Sequence, residues 1–197
     1  MKLKHLFALM AMVTGSAQAT VLTFEGAQNT IYGTSIVRDG FQIGNVAGDE
    51  QHFHEITSTN YGLTNNGTGI LLNDRDTRLY MTRVDAADFT LGAFDAAWYG
   101  STGNLTVSGF LNGILTNSFS AGLNSTAWQT FTGLSLGTVD YLVFDGLANG
   151  GNGFQLDNVN LGTVVSAVPE PESYALMLAG LAAIGVAARR RKSASAA

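Results

Sequence analysis

Between two strand-like runs stands the pair Asn112-Gly113. Leu105, Val107 and Leu111 alternate before it, and a second run returns over residues 114–119. A type I′ turn needs positive φ at both central positions, and Asn-Gly takes that conformation more readily than most pairs. Residues 104–120 are therefore predicted to form a β-hairpin. The same signal recurs at short spacing, in residues 21–25, 41–43, 52–56, 69–72, 78–84, 89–99, 128–131, 139–144 and 154–161. Turn residues cluster between these runs and helical periodicity is nearly absent. About ten to twelve short strands joined this way predict an all-β fold, an antiparallel β-sandwich of jelly-roll kind. In the last run Phe154 and Leu156 share one parity and Val159 and Leu161 the other, which predicts a bulge or bend at Asp157-Asn158.

Composition narrows the function classes. Residues 20–165 suffice for one domain with a sizeable core. There is no cysteine, so disulfide staples play no part. The body has no lysine, and its cations are Arg38, Arg75, Arg78 and Arg83 against many more acids; the whole chain carries a net charge of −5. An acidic surface repels phosphate backbones, which argues against nucleic acid as a partner.

Both ends read as addresses. Lys2 and Lys4, an apolar run over 6–13 and Ala17-Gln18-Ala19 make a signal peptide over 1–19. Cleavage between Ala19 and Thr20 by signal peptidase, after Sec-type export, would leave Thr20 at the N-terminus. At the other end come Val168-Pro169-Glu170-Pro171-Glu172, an uncharged apolar run over 174–188, and Arg189-Arg190-Arg191-Lys192. The prolines, the two in the chain, stiffen an extended segment. The apolar run can sit in hydrocarbon as a single transmembrane helix with its backbone groups paired internally. The basic cluster resists translocation and stays on the cytoplasmic side.

Residues 166–197 resemble the PEP-CTERM sorting tail of Gram-negative bacteria. The likeness is carried by Pro169, Glu170 and Pro171 (motif 168–172), the short Gly/Ala/Leu span and the terminal basic stop. The same tail is sometimes called an ice-binding protein C-terminal domain, a label that describes the tail alone. The resemblance implies recognition by an exosortase, a transient hold in the inner membrane, and delivery to the cell surface or to an extracellular, biofilm-like polysaccharide matrix. An ordinary single-pass anchor is the competing reading, although a span of about fifteen residues is short against the roughly twenty that cross a bilayer.

The body also looks like the jelly-roll, carbohydrate-binding-module-like domains that such tails often follow. Leu22-Thr23-Phe24-Glu25-Gly26, residues 105–113, Trp128-Gln129-Thr130-Phe131 and residues 153–159 carry the likeness. It implies that Glu25, from the first strand, and Asp157, from the last, meet around a structural calcium completed by carbonyl and Asn oxygens. The alternative is that Asp157 and Asn158 cap a turn with side-chain to backbone bonds.

Three further groups call for a reading. His52 and His54, two apart on a strand, face one way and can share a transition metal. Glu50 and Glu55 are the nearest candidates for a third ligand, and Glu55 should face the other way, so two polar histidines on a solvated sheet face are expected. Residues 74–78 alternate in charge as a surface turn does, or serve as a polar sugar- or cation-binding loop. Trp98, Tyr99 and Trp128 are expected to be core anchors in preference to a sugar-stacking platform. Gly133-Leu134-Ser135-Leu136-Gly137 has the Gly-x-Ser-x-Gly spacing, but no helical pattern follows it to make a nucleophile elbow, and neither an H-E-x-x-H helix nor a cysteine nucleophile is present. A carboxylate pair for glycoside hydrolysis stays open. The sequence thus describes an exported, non-enzymatic surface or matrix protein, with a carbohydrate-binding module and a secreted hydrolase as alternatives.

Overall fold

In the computed structural model, residues 19–25, 30–32, 34–57, 63–75, 77–146, 153–163 and 179–181 are described. The first strands are β1 (Ala19–Leu22), β2 (Thr30–Tyr32), β3 (Ser35–Arg38), β4 (Phe41–Asn45) and β5 (Phe53–Thr57). Then come β6 (Gly69–Asn73), β7 (Arg78–Arg83), β8 (Phe89–Trp98), β9 (Thr102–Leu111) and β10 (Ile114–Asn124). The last are β11 (Gln129–Thr132), β12 (Tyr141–Asp145) and β13 (Phe154–Thr163). They form two antiparallel sheets packed as a sandwich. The first runs β11-β8-β13-β6-β5-β2, with β1 also on β13; the second runs β10-β9-β12-β7-β4-β3.

Alternation explains how the two sheets share a core between them. Leu79 and Met81 of β7, Leu142 and Phe144 of β12, and Leu105 and Val107 of β9 point inward from the second sheet. Phe89, Leu91 and Phe94 of β8 and Phe154 and Leu156 of β13 meet them from the first. Phe94 lies edge-on to Phe144, with ring centroids 5.7 Å apart at 89°, an arrangement that aromatic quadrupoles favour. A second, smaller cluster gathers Ile56, Ile70 and Leu72, with Leu63, Tyr99 and Trp128 packed against it. Ile56 has the opposite parity to core-facing Phe53, so this cluster covers the outer face of the first sheet.

The β9–β10 hairpin turns at Asn112 (φ 53°) and Gly113 (φ 76°), both positive as the pair predicts. The register between β13 and β8 slips between Asp157 and Asn160, and Asn158 takes φ 49°, where the change of parity put the break. The first strand begins earlier than the sequence suggests. Ala19 and Thr20 pair with Gly162 and Leu161, and the strand stops because Phe24 turns into the left-handed region (φ 53°). Two strands were not anticipated, β2 and β3, both short edge strands.

The chain divides into two compact units, residues 1–164 and 165–197. The signal peptide apart from Ala19, the Pro169-Glu170-Pro171 motif and the Arg189 to Lys192 stop lie outside the described residues. Within the predicted span 174–188, Ala179, Gly180 and Leu181 are helical and exposed. Among the described residues no helix is long and apolar enough to cross a membrane.

Candidate functional site

The outer face of the second sheet is where aromatic and polar side chains meet in a groove. Alternation sends Arg78, Tyr80 and Thr82 of β7 outward, together with Tyr141, Val143 and Asp145 of β12. Register sets Tyr141 between Thr82 on one side and Phe110 of β9 on the other. Tyr80 and Tyr141 then stack as diagonal neighbours, ring centroids 5.4 Å apart and 13° from parallel. Phe110 closes on Tyr141 edge-on at 6.3 Å. A groove of about 630 Å³ runs alongside, lined by Tyr141, Phe110, Val143, Thr82, Arg78 and Asp140 among others.

Hydrogen bonds fix the walls. Gln42 Nε2 donates to the Tyr80 hydroxyl (2.9 Å) and to Ser35 Oγ (3.0 Å). Thr82 Oγ1 donates to the Asp140 carbonyl at 2.8 Å, and Asp140 Oδ2 accepts the Asn112 amide at 2.7 Å. The fork of Arg78 clasps Asp49 through Nε (3.0 Å) and NH2 (2.8 Å). That hydrogen-bonded guanidinium holds the Asp49 carboxyl below its ordinary range and raises Arg78 in turn. Burial, with Tyr80 adding to it, pushes the Tyr141 phenol up, so its hydroxyl stays a neutral donor and acceptor at physiological pH. Tyr141 thus has one nearly parallel and one edge-on aromatic neighbour beside a groove rimmed by positioned polar groups.

The residues singled out from sequence are distributed over several places. Asp157 is buried in β13 with both oxygens engaged. Oδ2 accepts from Asn66 Nδ2 (2.7 Å) and Thr68 Oγ1 (2.8 Å), and Oδ1 accepts the Asn158 amide (2.7 Å). Burial raises its pKa despite these donors, with Asp95 pushing the same way. Glu25 is exposed in the turn after β1. Ala19 and Thr20 lie in β1, and Thr20 borders a pocket of about 240 Å³ shared with Asp39, Phe41 and Arg83. Trp98 is fully buried in the main core. Trp128 packs on the outer cluster and donates Nε1–H to the Thr64 carbonyl at 2.8 Å. Glu55 turns away from the histidines, buried against Arg38 of β3.

The expectation for the histidines needs correction. They do not stand on a solvated face: His54 is buried at 8 % exposure, and a third group, Asp74, reaches both. His52 Nε2 lies 3.4 Å from Asp74 Oδ1 and His54 Nε2 lies 3.2 Å from Oδ2. Sequence reading considered Glu50 and Glu55 and missed Asp74. The register would have found it: His54 pairs with Leu72, so two residues further on His52 comes opposite Asp74. Tyr80 and Tyr141 were missed as well, although each holds an outward parity in its strand.

Residues 167–192 match the family described as PEP-CTERM protein-sorting motif. The chain carries a PEP-CTERM sorting motif. No curated protein matches the chain. Among solved structures the body is similar to a DUF4465 family protein from Bacteroides caccae, at 13 % identity and TM-score 0.49, over 75 % of this chain and 100 % of that one. It is also similar to a family 29 carbohydrate binding module from Piromyces equi, at 10 % identity and TM-score 0.44, over 81 % and 99 %. A third is the K1 cleaved adhesin domain of Lys-gingipain from Porphyromonas gingivalis, at 11 % identity and TM-score 0.46, over 77 % and 100 %. The PEP-CTERM motif implies export, sorting to the cell surface and an exosortase as processing partner.

Proposed function

We propose that this protein is exported through the Sec-type route and held briefly in the inner membrane of a Gram-negative cell by residues 174–192. On this reading an exosortase processes it at Pro169-Glu170-Pro171 and releases to the surface or matrix a jelly-roll-like body that binds polysaccharide without catalysis. The sorting half rests on one observation, the PEP-CTERM match over 167–192. Replacing Pro169 and Glu170 with alanine is expected to leave full-length material in the inner-membrane fraction, read by intact mass and fractionation. Unchanged trimming and surface delivery in that variant would reject it.

The binding half rests on the stacked Tyr80 and Tyr141 rings beside the groove. Tyr141→Ala removes the ring that both Tyr80 and Phe110 contact. It is expected to weaken binding to whichever polysaccharide a glycan array selects by roughly ten- to a hundred-fold, the loss typical of a central aromatic anchor. Arg83→Ala, away from the groove, serves as control. A Tyr141→Ala protein that binds as the parent does would move the ligand site elsewhere, leaving the sorting assignment untouched.

A further inference from the structure

We propose that His52, His54 and Asp74 form a binding site for a first-row divalent transition metal, with zinc as its simplest occupant. Three lone pairs converge on one point there. The Nε2 atoms of His52 and His54 approach to 2.8 Å, and the carboxylate oxygens of Asp74 stand 3.4 and 3.2 Å from them. All the ligand atoms lie within 4.8 Å of one another. Protons do not satisfy this arrangement. If His54 Nε2 carries a proton, it donates either to Asp74 or to His52, and the remaining partner faces it with no hydrogen bond. Asp74 Oδ1 is buried and has no hydrogen-bond partner among the described residues. One cation at the centre meets all three groups at once.

The spacing suits a tetrahedral ion. Metal–nitrogen and metal–oxygen bonds of about 2.0–2.2 Å set tetrahedral ligand atoms roughly 3.3–3.5 Å apart. The two histidine–aspartate separations are near that value, each to a different carboxylate oxygen, so Asp74 would turn to present one of them to the ion, and the two imidazoles reach the spacing by a swing of about half an ångström. Three protein ligands leave a position open, and His52 and Asp74 are partly exposed, so an ion can enter. Two imidazoles and one carboxylate select a borderline transition metal over calcium or magnesium, which take oxygen shells.

The ligands are also held from behind. Asn45 Oδ1 accepts the His52 amide at 2.7 Å, and Asn45 Nδ2 donates to Thr77 Oγ1 at 2.9 Å. Thr77 Oγ1 donates to Asn73 Oδ1, and Asn73 Nδ2 donates back to the Thr77 carbonyl, each at 2.8 Å. Asn45, Asn73 and Thr77 are all buried. This network fixes the backbone on both sides of Asp74 and the start of β5, and pre-orders a clip between β5 and the β6–β7 turn.

The test uses the full-length, untagged chain in detergent, stripped with chelator and titrated with Zn²⁺ alone by calorimetry. One zinc per chain and a rise in Tm are expected, since a ligand held by the folded state stabilises it by mass action. Calcium and magnesium should not compete. Cobalt in place of zinc should give the intense visible absorption of a tetrahedral site. His52→Ala and Asp74→Asn alter partly exposed side chains and should melt like the parent without metal, yet bind zinc at least about a hundred-fold more weakly. Absence of stoichiometric zinc uptake, a cobalt spectrum of six-coordinate type, or full affinity in both variants would each overturn the proposal.

Discussion

Replacing Gly153 with alanine is expected to cost the sandwich about 3 kcal/mol or more, at or beyond the upper end of typical overpacking losses. A Cβ at this position would lie 1.4 Å from the carbonyl oxygen of Asn73, 2.3 Å from its carbon and 2.9 Å from the Asp74 Cα. All three are backbone atoms, so no side chain can rotate away. The strand cannot simply retreat. The Gly153 carbonyl accepts the Tyr99 amide at 2.9 Å, and Phe154, the next residue, pairs with both Asn73 and Trp98. Separating β13 from β6 also displaces Asp74, so the variant should lose zinc uptake along with stability. Urea unfolding followed by circular dichroism reads the first effect. Gly122→Ala, whose Cβ would meet nothing nearer than 3.5 Å, is the matched control and should stay within about 0.5 kcal/mol of the parent. Similar midpoints for the two variants would show that the close approach at Gly153 is not part of the native fold.

Trp98→Ala should be comparably severe, a loss of about 3–5 kcal/mol, since truncation removes a large buried ring and leaves a cavity. The indole is fully buried and bridges the sheets. It grows from the end of β8 in the first and lies against Gly103 of β9 in the second, where an added Cβ would come within 2.2 Å of the ring. The slot is shaped for this side chain and cannot collapse easily around alanine. The same urea titration is expected to show a lower midpoint at an unchanged slope. A shift worth under about 1 kcal/mol would mean the sheets are held together elsewhere.

Much of this architecture is visible in single strands. The Asn112-Gly113 turn needs two positive φ angles and has them. The parity change at Asp157-Asn158 marks a real slip of register. Such features are local, fixed by the chemistry of a few adjacent residues. What stayed hidden depends on which strands become neighbours. β2 and β3 are edge strands of three and four residues, too short for a periodic signal. His52 and His54 show their shared face in the sequence. Asp74 joins them only through the β5–β6 register, across a long intervening segment. Likewise the outward parity of Tyr80 and of Tyr141 can be read from each strand alone. Their stacking requires β7 beside β12, a pairing distant in sequence whose loop-closure cost leaves no local trace.

The pairing of β13 has a mechanical corollary. Any pull passed along the chain from its C-terminal side enters the sandwich at Thr163, the end of that strand. β13 is laced to β1, β6 and β8, so tension is spread over rungs in three ladders. A tether fastened instead to an edge strand such as β3, which has β4 as its single neighbour, would load a single ladder. The domain is thus suited to bearing a load applied through its C-terminal side.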